Sequence, residues 1–114
     1  MAGDARHTAF VGLGSNLDRP LDQITSALAE LDALPATRLA RRSSLYRTEP
    51  VGYADQPDFV NAVAELRTTL EPHALLDALL ALEQAHGRVR SIPNGPRTLD
   101  LDLLLYDALV LAGP

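Results

Sequence analysis

A two-layer α/β sandwich, with helices on one face of an antiparallel sheet, is the fold this sequence predicts. Two patterns predict it. Apolar residues recur at helical spacing in two segments that each follow a proline: Leu21, Ile24, Leu28 and Leu31 after Pro20, and Leu75, Leu76, Leu79 and Leu82 after Pro72. Around and between them lie four stretches of strand character, of which Phe59 to Thr68 alternates most regularly.

Taken in order, Thr8 to Leu13 is short, apolar and partly β-branched, and the Gly14-Ser15-Asn16 stop predicts a strand ending in a turn. The first helix runs from Pro20 until Pro35 forbids its continuation. Thr37 to Arg47 mixes single apolar residues with arginine and serine, the pattern of an exposed second strand, and Thr48-Glu49-Pro50-Val51-Gly52 opens a loop that reaches about Asp58. In the third strand Val60, Ala62, Ala64 and Leu66 share one face, while Phe59, Asn61, Val63 and Glu65 share the other. The second helix follows Pro72, with Asp77 and Glu83 placed off its apolar stripe and Gly87 as its C-terminal cap, and residues 88–95 form a loop. Leu99 to Tyr106 alternates leucine with aspartate and then becomes wholly apolar, a strand whose first half has one exposed face. The order β-α-β-β-α-β is that of a split β-α-β, ferredoxin-like α+β sandwich with a four-stranded antiparallel sheet.

A chain of 114 residues holds one such core, so residues 1–7 are read as a leader and 8–114 as a single domain. Nothing in it approaches the apolar length of a membrane span, and residues 1–7 lack the sections of a signal peptide; a cytoplasmic protein without membrane contact is expected. The absence of cysteine removes disulfides and thiolate metal sites. No lysine occurs either, which rules out a lysine Schiff base, a lysine general base and a lysine-dependent phosphate loop within this chain. A net charge of −5 argues against a nucleic-acid partner.

Asp100 and Asp102 carry the strongest chemical signal. Two residues apart on a strand, they leave the same face roughly 6.6 Å apart along the backbone, within reach of one site. Hard oxygen ligands of this kind suit magnesium, which takes one or two carboxylates and completes its shell with water and substrate phosphates. Alone, the pair reads equally as a solvated sheet edge. Arg88, Arg90 and Arg97 precede it within a short stretch, and guanidinium forks match phosphate oxygens; surface ion pairing with Glu83 or Asp107 is the competing account. Asn61 interrupts an apolar strand and offers both donors and an acceptor, which suits a heterocycle edge with Phe59 packing beside it, or a purely structural hydrogen bond. Gly12-Leu13-Gly14-Ser15-Asn16 lacks the third glycine of a dinucleotide fingerprint and the lysine of a phosphate loop, so it is read as a turn. His7, His73 and His86 have no metal-ligand spacing, and the last two, near helix ends, are expected to be solvated.

These motifs, in order, are Gly-Leu-Gly-Ser-Asn-Leu at 12–17, Ser-Ser-Leu-Tyr-Arg-Thr-Glu-Pro-Val-Gly at 43–52, Gln-Pro-Asp-Phe-Val-Asn-Ala at 56–62 and Gly-Pro-Arg-Thr-Leu-Asp-Leu-Asp at 95–102. Together they resemble the 6-hydroxymethyl-7,8-dihydropterin pyrophosphokinases of folate biosynthesis, from about Thr8 to Tyr106. The resemblance implies transfer of pyrophosphate from ATP to the pterin alcohol with release of AMP, and two Mg2+ ions on Asp100 and Asp102. It implies a pterin site lined by Thr48, Glu49, Val51, Phe59 and Asn61. It implies an ATP site of Leu76, Arg88, Arg90, Arg97 and Leu103, with Arg88, Arg97, Asp100 and Asp102 serving catalysis. A monomer is implied for the complete enzyme. Asn94 departs from the aromatic residue many relatives carry before Gly-Pro-Arg, and relatives continue past the position of Pro114 through a Pro-His motif, so an incomplete C-terminal part is expected. A non-catalytic nucleotide- or pterin-binding domain of the same fold is the rival reading.

Overall fold

In the computed structural model, the residues described are 7–50, 56–87, 98–107 and the backbone of 109–110. The elements are β1 (His7–Ser15), α1 (Pro20–Asp32), β2 (Thr37–Arg42), β3 (Tyr46–Thr48), β4 (Phe59–Thr68), α2 (Pro72–Ala85), β5 (Asp100–Tyr106) and β6 (Leu109–Val110). Both helices form where proline supplies a helical φ at the first turn and an apolar stripe follows. α1 buries Ile24, Ala27, Leu28 and Leu31. α2 ends at His86, and Gly87 takes the left-handed φ of +78° that closes a helix without a Cβ penalty.

The sheet runs β2-β4-β1-β5-β6, with β3 also on β4, and every pairing is antiparallel. Counting β2 and β3 together as the expected second strand, the core order is fourth, first, third, second: the ferredoxin-like arrangement. The α+β sandwich therefore stands. Ala9, Val11 and Leu13 of β1, Val60, Ala62, Ala64 and Leu66 of β4, and Leu101 and Leu103 of β5 form one apolar face, packed against Ile24, Leu28, Leu31, Leu75 and Leu79 of the helices. The other face of β1 presents Phe10, Gly12 and Gly14, and no described helix covers it.

Several local expectations change. The second strand breaks at residues 43–45 because Ser43 enters the β4 ladder with its side chain: its Oγ accepts the Val63 N–H at 2.8 Å while its own N–H donates to the Val63 carbonyl. A serine hydroxyl competes here with the regular ladder. β1 begins at His7 and does not stop at Leu13, since Gly14 pairs with Asn61 on one side and with Asp100 on the other. Ladder bonds on two sides outweigh the turn tendency of Gly-Ser-Asn. In β5 a bulge leaves Leu104 unopposed between the Val11–Leu103 and Phe10–Leu105 pairs. The shift brings Tyr106 into register with Ala9, where it is buried and donates its hydroxyl to the Leu70 carbonyl. That parity change is why the second half of the strand reads as wholly apolar.

Two side chains expected in solvent are withdrawn from it, Glu83 fully and His86 in large part. Glu83 is only 3% exposed, its Oε2 accepting the Leu101 N–H at 2.7 Å. The His86 side chain is 9% exposed and bridges Gln23 and Glu30 of α1, so it joins the end of α2 to α1. Helical periodicity assigns a residue to a face, but whether that face meets another element depends on packing.

Candidate active site

The uncovered face of the sheet is organised as a row. Its ladder partners are Tyr46 on β3, Asn61 on β4, Gly14 on β1 and Asp100 on β5, and the next row holds Val63, Gly12 and Asp102. Strands about 4.8 Å apart place Asn61 and Asp100 about 10 Å from one another with Gly14 between them. Directly opposed residues share a face, so Asn61, Asp100 and Asp102 all project to the uncovered side.

Glycine makes the centre of that row a floor. A Cβ on Gly14 would lie 3.3 Å from Asn61 Oδ1 and 3.7 Å from Phe59 Cδ1, so the missing side chain leaves the amide and the ring their present positions. A Cβ on Gly12 would meet only the side chain of Leu104, at an ordinary 3.5 Å. The Asn61 amide is oriented by its neighbours: Nδ2 donates to Thr48 Oγ1 at 2.8 Å, with the Tyr46 and Phe59 carbonyls at 3.4 Å. With the donor end committed, Oδ1 is turned toward the Gly14 floor as an acceptor. Thr48 sits opposite Phe59 and on the same face, whereas Glu49 is exposed.

On the far side of the floor, Asp100 is half-buried and Asp102 exposed. Among the described residues no cluster of three or more histidines or carboxylates forms a complete cage for an ion. Two same-face carboxylates fit magnesium, which draws its remaining ligands from water and phosphate. At the opposite end of the same face Glu65 accepts hydrogen bonds from Arg41, and Arg67 lies 3.5 Å away. The hydrogen bond from Arg41, reinforced by the charges of Arg41 and Arg67, holds the Glu65 carboxyl below the usual carboxylate range against the opposing pull of burial.

Other expected site residues are not part of this row. Leu103 is 7% exposed and belongs to the core face of β5. Leu76 is 40% exposed on α2, off its buried stripe. Val51, Arg88, Arg90 and Arg97 lie outside the described residues, as does Asn94. A cavity of about 410 Å³ lined by Arg19, Leu21, Arg47, Pro57, Asp58 and Val60 lies on the helix side of the sheet, and neither Asp100 nor Asp102 lines it. Sequence reasoning missed Gly12 and Gly14 as floor residues, and it missed Asn16. Asn16 is buried, its Nδ2 donating to Gln56 Oε1 at 2.8 Å and to the Pro57 carbonyl at 2.9 Å, and so ties the end of β1 to the approach to β4. Glycine at alternate positions in an apolar run was the available signal, since glycine inside a strand marks a close approach to its backbone.

Comparison with known proteins agrees with the motifs. A family model described as 7,8-dihydro-6-hydroxymethylpterin-pyrophosphokinase matches residues 10–114. A 2-amino-4-hydroxy-6-hydroxymethyldihydropteridine pyrophosphokinase from Pseudomonas aeruginosa is 54% identical over 105 residues, covering 92% of this chain and 65% of the relative. The protein of the same name from Pseudomonas putida is 53% identical over 106 residues, covering 93% of this chain and 88% of that one. Its counterpart from Haemophilus influenzae is 50% identical over 99 residues, covering 87% and 62%. The chain thus spans less than two thirds of the length of two of these three curated relatives.

Proposed function

This chain belongs to the 7,8-dihydro-6-hydroxymethylpterin-pyrophosphokinase family, and from that premise we propose that it transfers the pyrophosphoryl group of ATP to the hydroxymethyl oxygen of 6-hydroxymethyl-7,8-dihydropterin, releasing AMP. The observation that carries the reading is the row Asn61–Gly14–Asp100, which sets a heterocycle-reading amide and a carboxylate pair on either side of a backbone floor that carries no side chain.

On this reading the pterin lies over Gly14. Asn61 Oδ1 accepts from a ring N–H, Thr48 keeps the amide from rotating, and Phe59 packs beside the ring. Glu49 and Val51 are assigned to the pterin site by the family motif they belong to. The phosphates of ATP lie toward Asp100 and Asp102, with Arg88, Arg90 and Arg97 supplying guanidinium contacts. The adenosine passes around the β5 edge toward Leu76 and the backbone at Leu103. Two Mg2+ ions held by the aspartates would neutralise phosphate charge and ease proton loss from the alcohol. The chain's residues otherwise act by positioning: the alcohol oxygen is aimed at the β-phosphorus in line with the bond to the departing AMP. No described side chain on the uncovered face is placed as an obvious protein base, so none is assigned. The complete enzyme is proposed to act as a cytoplasmic monomer; among the described residues no helix is long and apolar enough to cross a membrane.

The test is AMP release from magnesium-ATP with and without the pterin, for this chain and for the double substitution Asp100→Ala, Asp102→Ala. Pterin-dependent release that falls by about 10²-fold or more in the variant is expected, the scale of losing transition-state charge stabilisation. Pterin-independent release, or release indifferent to the substitutions, would sink the reading. Binding of ATP and pterin without turnover would favour the non-catalytic alternative for this chain.

A further inference from the structure

Glu83 is a carboxylate that none of the proposed chemistry uses, yet it is 3% exposed and ends at the backbone of the residue between the two aspartates. Leu101 donates its N–H to Glu83 Oε2 at 2.7 Å. At this level β5 is the sheet edge among the described residues, because β6 pairs only with Leu105 and Tyr106. An edge strand is held by ladder bonds on one side alone and is free to twist about that side. The Leu101 N–H belongs to the peptide plane that joins Asp100 to Leu101, so holding its direction restrains ψ of Asp100 and φ of Leu101, and with them the angle at which Asp100 leaves the strand relative to Asp102. Glu83 thus takes the place of a neighbouring strand where the described residues supply none.

Burying a carboxylate is costly, and a core position on α2 would be filled more stably by leucine, as it is at Leu79 and Leu75 one and two turns earlier. The Leu101 N–H is one edge donor that a carboxylate at this place satisfies. We propose that Glu83 is a positioning residue for the Asp100–Asp102 pair: reaching from α2 to the Leu101 amide, it holds the two carboxylates in the relative orientation that a divalent cation bridged to phosphate requires. The claim about the cation rests on the function proposed above, whereas the claim about strand placement does not.

Reach and charge are separable by substitution. Glu83→Asp keeps the charge and shortens the side chain by one methylene, while Glu83→Gln keeps the length and an acceptor oxygen without the charge. Two measurements on the full chain decide the matter. In the first, amide hydrogen exchange is followed by NMR at 100–102, with Val11, Ala62 and Leu66 as core references. Expected is a loss of protection at 100–102 in Glu83→Asp with the core references unchanged, and parent-like protection in Glu83→Gln. Parent-like protection at 100–102 in Glu83→Asp would overturn the proposal. In the second, Mn2+ uptake with ATP present is titrated by electron paramagnetic resonance. Glu83→Asp is expected to weaken it about 10-fold or more, as losing a group that orients a metal ligand does elsewhere, and Glu83→Gln to stay near the parent. The reverse order, Gln weak and Asp parent-like, would overturn positioning in favour of a purely electrostatic role. Absence of Mn2+–ATP uptake by the parent, matched by the Asp100→Ala, Asp102→Ala chain, would instead count against the proposed function, and the exchange data would still decide the placement of β5.

Discussion

The two faces of β1 are built from alternate residues of one nine-residue strand and are put to opposite uses. On the covered face Ala9, Val11 and Leu13 are almost wholly buried and belong to the core that the helices close. On the uncovered face Phe10 carries a ring, whereas Gly12 and Gly14, toward the row that holds Asn61 and Asp100, carry no side chain. Stability is concentrated on one parity and ligand access on the other, so a substitution should tax one property with little effect on the other.

The largest expected effect belongs to the covered side. Leu31 is fully buried where α1 meets the sheet, and Leu31→Ala should cost about 2–5 kcal/mol by lost burial plus the cavity left behind. Urea unfolding measures it, and a loss below about 1 kcal/mol would mean that the core readily collapses around the gap. The uncovered side should respond in the contrary way. Gly14→Ala brings a Cβ to 3.3 Å from Asn61 Oδ1 and must displace that amide, whereas Gly12→Ala meets only Leu104 at 3.5 Å. Pterin affinity, followed by calorimetry, should fall by about 1 kcal/mol, the worth of one hydrogen bond, for Gly14→Ala and stay unchanged for Gly12→Ala, with the unfolding midpoint little altered in either. Equal effects at the two glycines would break the assignment of Gly14 as the floor.

The smallest effect sharpens the comparison at its acid limit. The Glu65 carboxyl is held below the usual range first by its hydrogen bond from Arg41, and that of Asp107 first by the Thr8 N–H, with His7 adding a second bond. A group whose folded pKa is lowered contributes stability that is fully present above its unfolded pKa and is lost as pH falls through the folded value. Stability of the parent should therefore decline as pH drops below about 5, through the carboxylate range. Glu65→Gln and Asp107→Asn should each flatten part of that decline without changing stability's slope near neutrality. An unchanged acid slope in both variants would show that neither contact is maintained in solution.

Much of this molecule was legible in order along the chain. Period two over Phe59–Thr68 marked β4 and separated Asn61 from the core residues beside it, and the proline-led stripes marked both helices. The Asp-Leu-Asp alternation put both carboxylates on one face. Such readings succeed because they depend only on the geometry of a single element. The same local rules assigned Gly14-Ser15-Asn16 to a turn, Glu83 and His86 to solvent, and Thr37 to Arg47 to one strand. Each outcome was reversed by a partner distant in sequence: Asn61 and Asp100 across β1, Leu101 beyond the end of α2, Gln23 and Glu30 on α1, and Val63 opposite Ser43.

The sequence by itself determined the elements, the family and which residue types are capable of the chemistry, because periodicity and short motifs are properties of neighbours along the chain. Only the tertiary structure decided that Gly14 lies between an amide and a carboxylate pair, and that a buried glutamate ends at the strand bearing that pair. Strand register and helix docking are set by contacts between segments far apart in the chain, where packing and hydrogen-bond satisfaction outweigh local preference.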